Sequence, residues 1–261
     1  MARSRAGGLT DKLAVGTVIK SCRICLKRAR SITVTSTDYA AGSDVLSGTS
    51  QKWVEVLPPD KGSRTPPGMP AGPPTMRIGF LGRFVEEKGI DVLLDAAPMV
   101  LGRIPDAQFI LAGNVATVAG GSEFQRLKGR IEALGASVHL PGHIPEDRLQ
   151  EFYSSLDVFV LPSVNSYESF GIVQVEAMKA GVPVVATDMR GVRIPVRYTG
   201  NGLLVPPRDA FALANAIVQV LSEPRFRARP EIFDRACAAF PPDRAAEQYV
   251  ELYSRLIAGR M

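Results

Sequence analysis

The chain has 261 residues, 46% of them hydrophobic, with a net charge of +5 and three cysteines. That apolar share excludes global disorder, no run reaches the ~18 consecutive apolar residues of a spanning helix, and so few cysteines exclude a disulfide framework and favour a reducing, cytoplasmic setting. Residues 1–30 hold eight Lys/Arg against one acid, a local +7; the other 231 residues therefore sum to −2 (+5 less +7), which excludes a general nucleic-acid surface over the main body.

The first predicted element is a helix over "TDKLAVGTVIKSCRICLKRAR", with a rough apolar stripe of Leu13, Val18, Ile19, Cys22, Ile24 and Cys25. Its first reading is an ordinary amphipathic domain helix with a solvated basic face. Peripheral membrane contact through residues 1–30 at the cytoplasmic face and an acid-poor transit peptide are the other readings. Cys22-Arg-Ile-Cys25 is CxxC in form only, because a structural zinc site needs two further ligands at compatible spacing. Both cysteines are expected to be buried as small hydrophobes, and no metal site is expected.

Two strand-like runs follow, "SITVTS" (31–36) and "KWVEVLPP" (52–59), separated by a short polar segment rich in helix-capping residues. They form a small βαβ-like piece, too small for a core of its own. "RTPPGMPAGPPT" (64–75), with five prolines and two glycines, reads as an inter-domain linker.

Beyond the linker the pattern is regular. "MRIGFLGR" (76–83) is a buried strand and "GIDVLLDAAPMVLGRI" a helix with Ile90, Leu93, Leu94, Ala97 and Leu101 on one face. "AQFILAG" (107–113) is the next strand, and "SEFQRLKGRIEALG" a helix capped by Ser122. Then come "SVHLPG", the helix "EDRLQEFYSSL", the strand "DVFVLPS", the helix following Gly171, the strands "PVVATD" and "GLLVPP", and the helices "DAFALANAIVQVLSE" and "PDRAAEQYVELYSRLIAGRM". The last carries Tyr249, Leu252, Tyr253 and Leu256 on its apolar side. Near-continuous apolar strands alternating with helices predict an α/β fold with a doubly wound parallel sheet.

Ligands of such sheets bind beyond the carboxyl ends of the strands. Three segments fall there. "GRFVEEKG" (82–89) sets Arg83 and Lys88 on one Gly-bounded loop, fit to clamp an anion or simply to be a solvated charged loop. "SYESFGIVQVEAMKAG" (166–181) offers the amides of Ser169, Phe170 and Gly171 at a helix N-terminus, where the dipole favours phosphate. Glu168 there either favours the dipole or touches ligand. Glu176, inside the apolar helix, fits a ligand-hydroxyl acceptor. "AGVPVVATDMRG" (180–191) ends its strand at Thr187 and Asp188. "AGNVATVAGG" (112–121) lacks the GxGxxG spacing of a dinucleotide site. From the residues alone the ligand is a nucleotide or sugar phosphate.

Together "GRFVEEKGIDVLLDA", "HIPEDRLQEFYSSLDVFVLPS", "ESFGIVQVEAMKAGVPVVATD" and "GNGLLVPPRDAFALANAI" resemble glycosyltransferase family 4, the group 1 transferases of the GT-B fold, over about residues 76–222. The resemblance implies a retaining, metal-independent transferase that takes a nucleoside-diphosphate sugar as donor substrate, with no cofactor. Carried over, Arg83 and Lys88 would neutralise the leaving diphosphate, with Gly82 beside them and the amides of Ser169, Phe170, Gly171 and Ile172 assisting. Glu168 would hold donor-sugar hydroxyls, Glu176 the ribose, and Gly113, Asn114, His143 and Ile144 would lie against the base. The acceptor is an unidentified glycan, lipid or small molecule. Arg190-Gly191-Val192-Arg193-Ile194 departs from the family's Gly-Gly-x-Pro-Glu, exchanging the acid for arginines.

The implied organisation is a remnant of the N-terminal GT-B domain (1–63), the linker (64–75), a Rossmann-like nucleotide-sugar-binding domain (76–222) and a C-terminal helical segment (223–261). Two expectations follow: a transferase represented by a truncated or mis-started chain, or a non-catalytic nucleotide-sugar-binding fragment needing a partner chain.

Overall fold

The computed structural model describes residues 9–62, 66–67, 75–115 and 122–259. Most of the predicted linker and the end of "AGNVATVAGG" lie outside them. The chain divides into two compact units, one built from the chain up to Pro58 and from Asp243 onward, the other from Pro59–Pro242.

The first unit opens with α1 (Leu9–Arg28), β1 (Ile32–Val34), the short α2 (Thr37–Ala40) and β2 (Trp53–Glu55). β1 and β2 pair in parallel, Ile32 opposite Trp53 and Val34 opposite Glu55, so the expected βαβ piece forms. Ser36 caps α2 by accepting from the Tyr39 amide at 3.0 Å, and Glu55 accepts from the Thr37 amide at 2.6 Å. The α1 helix forms, but most of its described stripe is not buried: Val18 and Ile24 are exposed, as is Val15 beside them, and Ile19 is half-buried. Cys22 and Cys25 are also exposed, against the expectation that they pack as small hydrophobes. The stripe is too irregular to give one continuous apolar face.

In the second unit, β3 (Arg77–Leu81), α3 (Ile90–Leu101), β4 (Gln108–Ala112), α4 (Phe124–Ala133), β5 (Val138–Gly142), α5 (Leu149–Ser154) and β6 (Val158–Leu161) are followed by α6 (Ile172–Lys179), β7 (Val184–Thr187), α7 (Ile194–Thr199), β8 (Gly202–Val205), α8 (Ala210–Ser222) and α9 (Arg229–Ala239). The closing helix α10 (Arg244–Ile257) belongs to the first unit. It buries Leu252 but leaves Tyr249 and Tyr253 exposed and stacked on each other, so its apolar side is only partly used.

The six strands are all parallel, in the order β5-β4-β3-β6-β7-β8. Strand order therefore reverses between β3 and β6, as in a doubly wound fold. Alternation of side chains splits the core into two layers. Ile78, Phe80, Val158 and Val160 pack with α3 and α8 on one face. Phe159, Leu161, Val184 and Ala186 pack with α6 and α9 on the other. The sequence pattern showed neither α7 nor α9 as separate helices. Arg229 of α9 is buried because its guanidinium donates to the carbonyls of Ser154 (3.0 Å) and Leu156 (2.6 Å), satisfying the end of α5.

Candidate functional site

The switch between β3 and β6 brings two loops together. Leaving β3, residues 82–89 pass through a 3-10 turn at Glu86–Lys88 and reach Gly89, which enters α3 with φ +65°. A Cβ at Gly89 would stand 2.0 Å from the Pro162 carbonyl oxygen, so only glycine allows this approach to the loop after β6. The Val164 amide donates to the Glu87 carbonyl at 3.0 Å across the same seam.

On this seam Lys88 and Glu168 form an ion pair, their side chains 17% and 12% exposed. Glu168 is thus more than a dipole partner. Its carboxylate faces a cation from the other side of the switch. Arg83 lies on the same loop but pairs with Glu87 at 3.1 Å and is half exposed. Two residues expected at the donor site, far apart in sequence, also meet: the Gly82 amide donates to Ala112 (3.0 Å), and a Cβ at Gly113 would lie 1.9 Å from the Gly82 carbonyl. Gly113 donates in turn to Gly142 at 2.8 Å, which continues the rim along the ends of β3, β4 and β5. Asn114 follows Gly113 on that rim.

At the start of α6, Gly171 is left-handed (φ +74°) with no side-chain cap. The first turn therefore has amides that no side chain of its own satisfies. Phe170 is buried edge-on against Phe240, 6.0 Å between centroids, which anchors the entry to the helix. Ser169 and Ile172 flank it, half-buried.

Glu176 sits deeper on α6 and is 7% exposed. Its Oε2 accepts from the Tyr153 hydroxyl at 2.8 Å, and the Lys61 backbone lies near enough to favour the charged carboxylate. Burial pushes the Glu176 carboxyl above its ordinary range, against the lowering effect of both groups. Burial likewise raises the Tyr153 hydroxyl, helped by the Glu176 charge. Sequence reasoning missed Tyr153 and Lys61 because no local pattern links residues 61, 153 and 176.

His143 and Ile144 line a cavity of about 520 Å³ with Arg77, Arg148 and Phe152. Lys88 and Glu168 are not among the described residues lining it, so the contacts shown do not join this loop to the ion pair. Past β7, Asp188 pairs with Arg193 at 3.3 Å and Arg197 at 3.2 Å. One of the arginines of the "RGVRI" departure is thus turned onto Asp188. Among the described residues no group of His, Cys, Asp and Glu is arranged to hold a metal, and no helix is long and apolar enough to cross a membrane.

Comparison decides the family. The family described as glycosyl transferases group 1 matches residues 72–234. The chain belongs to the group 1 glycosyltransferases. Within it, the chain is 37% identical over 187 residues to a D-inositol 3-phosphate glycosyltransferase of Corynebacterium urealyticum, covering 69% of this chain and 43% of that one. It is 39% identical over 155 residues to a phosphatidyl-myo-inositol mannosyltransferase of Mycobacterium tuberculosis, covering 58% and 39%. The chain thus spans less than half the length of these relatives. Among solved structures it superposes on the sucrose-phosphate synthase of Thermosynechococcus elongatus with a TM-score of 0.77 at 32% identity, covering 94% of this chain and 62% of that one. The Anabaena HepE solved in complex with UDP-glucose shares the fold, with a TM-score of 0.72 at 21% identity, covering 90% and 68%.

Proposed function

We propose that the chain binds a nucleoside-diphosphate sugar and serves the transfer of that sugar, with retention and without a metal, to a glycan, lipid or small-molecule acceptor. The observation that carries this reading is the Lys88–Glu168 pair at the strand switch, beside the uncapped start of α6. An ammonium has three donors; with one spent on Glu168, two remain for phosphate oxygens. Lys88, Arg83 and the amides from Ser169 to Ile172 supply positive potential where the diphosphate gains charge as the glycosidic bond breaks. Glu168, held in place by Lys88, accepts from hydroxyls of the donor sugar, and Glu176 accepts from the ribose. The neighbours that bind UDP support a uridine donor, and the mannosyl- and inositol-phosphate-directed relatives support a polyol or lipid-linked acceptor. The reaction belongs on the cytoplasmic side, where exposed Val15, Val18 and Ile24 on the basic α1 support contact with a membrane surface.

Calorimetry across UDP-, GDP- and ADP-sugars tests the reading, followed by a transfer assay with the best donor. Binding that is lost in Lys88→Ala supports it. Binding without transfer favours a donor-binding fragment that needs a partner chain, and no binding to any of them rejects both.

A further inference from the structure

Residues Pro59–Gly62, which begin the second unit, lie across α6. Asp60 Oδ2 and Lys179 Nζ are 2.8 Å apart with side chains only 5% and 1% exposed. The other Asp60 oxygen accepts from the Gly62 amide at 2.9 Å. A Cβ at Gly62 would come within 2.8 Å of Lys179 Cβ and Cδ, so the segment lies flush on the helix. Between them lies Lys61, whose backbone favours the charged form of Glu176, one helical turn before Lys179. The Lys61 side chain continues to Glu146 at 2.7 Å, just past the His143–Ile144 loop.

A buried ion pair is weak evidence for stability, because desolvating both charges offsets most of their attraction; its best-attested use is to specify one geometry. Here the geometry it specifies is the register of the Lys61 backbone beside a carboxylate. We propose that Asp60, Lys179 and Tyr153 are positioning residues for the ribose: the ion pair fixes the strap so that the Lys61 backbone and Tyr153 OH hold Glu176 in one orientation and leave its remaining lone pairs for a ligand diol. A carboxylate has about four acceptor sites, and the Tyr153 hydroxyl occupies only part of them. The inference rests on the reading of Glu176 as the ribose acceptor.

The test compares UDP and GDP with their 2′- and 3′-deoxy forms by calorimetry, in wild type, in the paired variant Asp60→Leu/Lys179→Met and in Tyr153→Phe. Exchanging both charges together leaves no unpaired buried ion, so the paired variant is expected to fold. Wild type is expected to favour the ribose form by about tenfold, the worth of a hydrogen bond to a charged group. Both variants are expected to lose most of that preference, and the paired variant to keep its unfolding temperature while doing so, which a purely structural role would not produce. Unchanged discrimination in Tyr153→Phe, or in a folded paired variant, overturns the proposal. Should wild type bind neither diphosphate, the donor reading fails and this inference falls with it; diphosphate binding with unchanged discrimination in the folded variants overturns the inference alone.

Discussion

Lys88 and Glu168, 80 residues apart in the chain, meet as an ion pair where the strand order reverses. The pair exists because Gly89 lets the β3 loop touch the carbonyl of Pro162. It unites the two candidate loops that sequence motifs could only name separately.

Removing either member leaves the other mostly buried and uncompensated. Lys88→Ala and Glu168→Ala are each expected to lower kcat/KM by about 10²–10³, the range for one electrostatic stabiliser of a transition state. The double variant is expected to fall far short of the product of the two, because contacting residues couple. Steady-state kinetics of the three variants with the best donor decides it. Independent, multiplicative losses would sink the pairing as a functional unit.

Gly171→Ala is expected to destabilise the protein by about 1–3 kcal/mol, the range for strain in a sparsely populated backbone region. The residue is left-handed, and a new Cβ would lie 2.4 Å from Leu161 Cδ2 and 2.7 Å from Gln174 Nε2. Denaturant unfolding measures the loss. Donor affinity should fall as well, since the same atom would enter the first turn of α6. A variant as stable as wild type would contradict the geometry.

Gly113→Ala tests the rim. With φ +147° and a Cβ 1.9 Å from the Gly82 carbonyl, the ends of β3 and β4 must separate to accept it. A nucleoside-diphosphate affinity about tenfold weaker is expected, near the scale of one lost hydrogen bond to a charged group, with the unfolding temperature also reduced. Unaltered affinity would remove Gly82 and Gly113 from the donor site.

Glu176 predicts a slope of stability with pH. Its folded carboxyl is raised above the unfolded one, chiefly by burial, with Asp60 adding to the rise and Tyr153 and Lys61 opposing it. Between the ordinary glutamate value and the raised one, the native state holds more protons than the unfolded state, so stability falls as pH increases through that window. Glu176→Gln removes this contribution and flattens the fall. Unfolding temperatures measured from pH 4 to 8 on both proteins check it, and an identical slope would show that Glu176 is not the group responsible.

Much of the site was legible in the order of residues. Arg83, Lys88, Glu168 and Gly171 fall at the carboxyl ends of strands recognisable by apolar runs and glycine punctuation. Such local signals specify which segments turn and which are buried. They do not carry distance between segments. Gly82 against Gly113, and Tyr153 and Lys61 on Glu176, join residues from different elements, and no periodicity relates them. Lys179 illustrates the limit most clearly: no local pattern marks it, yet its side chain is 1% exposed on Asp60. The α1 stripe errs the other way, apolar in sequence and largely exposed in the fold.

By itself the sequence determined the alternation of strands and helices, the parallel doubly wound sheet, the family and the loops that carry charge. These depend on hydrophobic period and backbone preference, which are properties of neighbouring residues. Tertiary structure alone decided which charges face one another, which carboxylate is buried and what holds it. Those outcomes depend on strand order and on close approaches of backbone across the switch, where a missing Cβ at Gly89 or Gly113 matters more than any charge nearby in sequence.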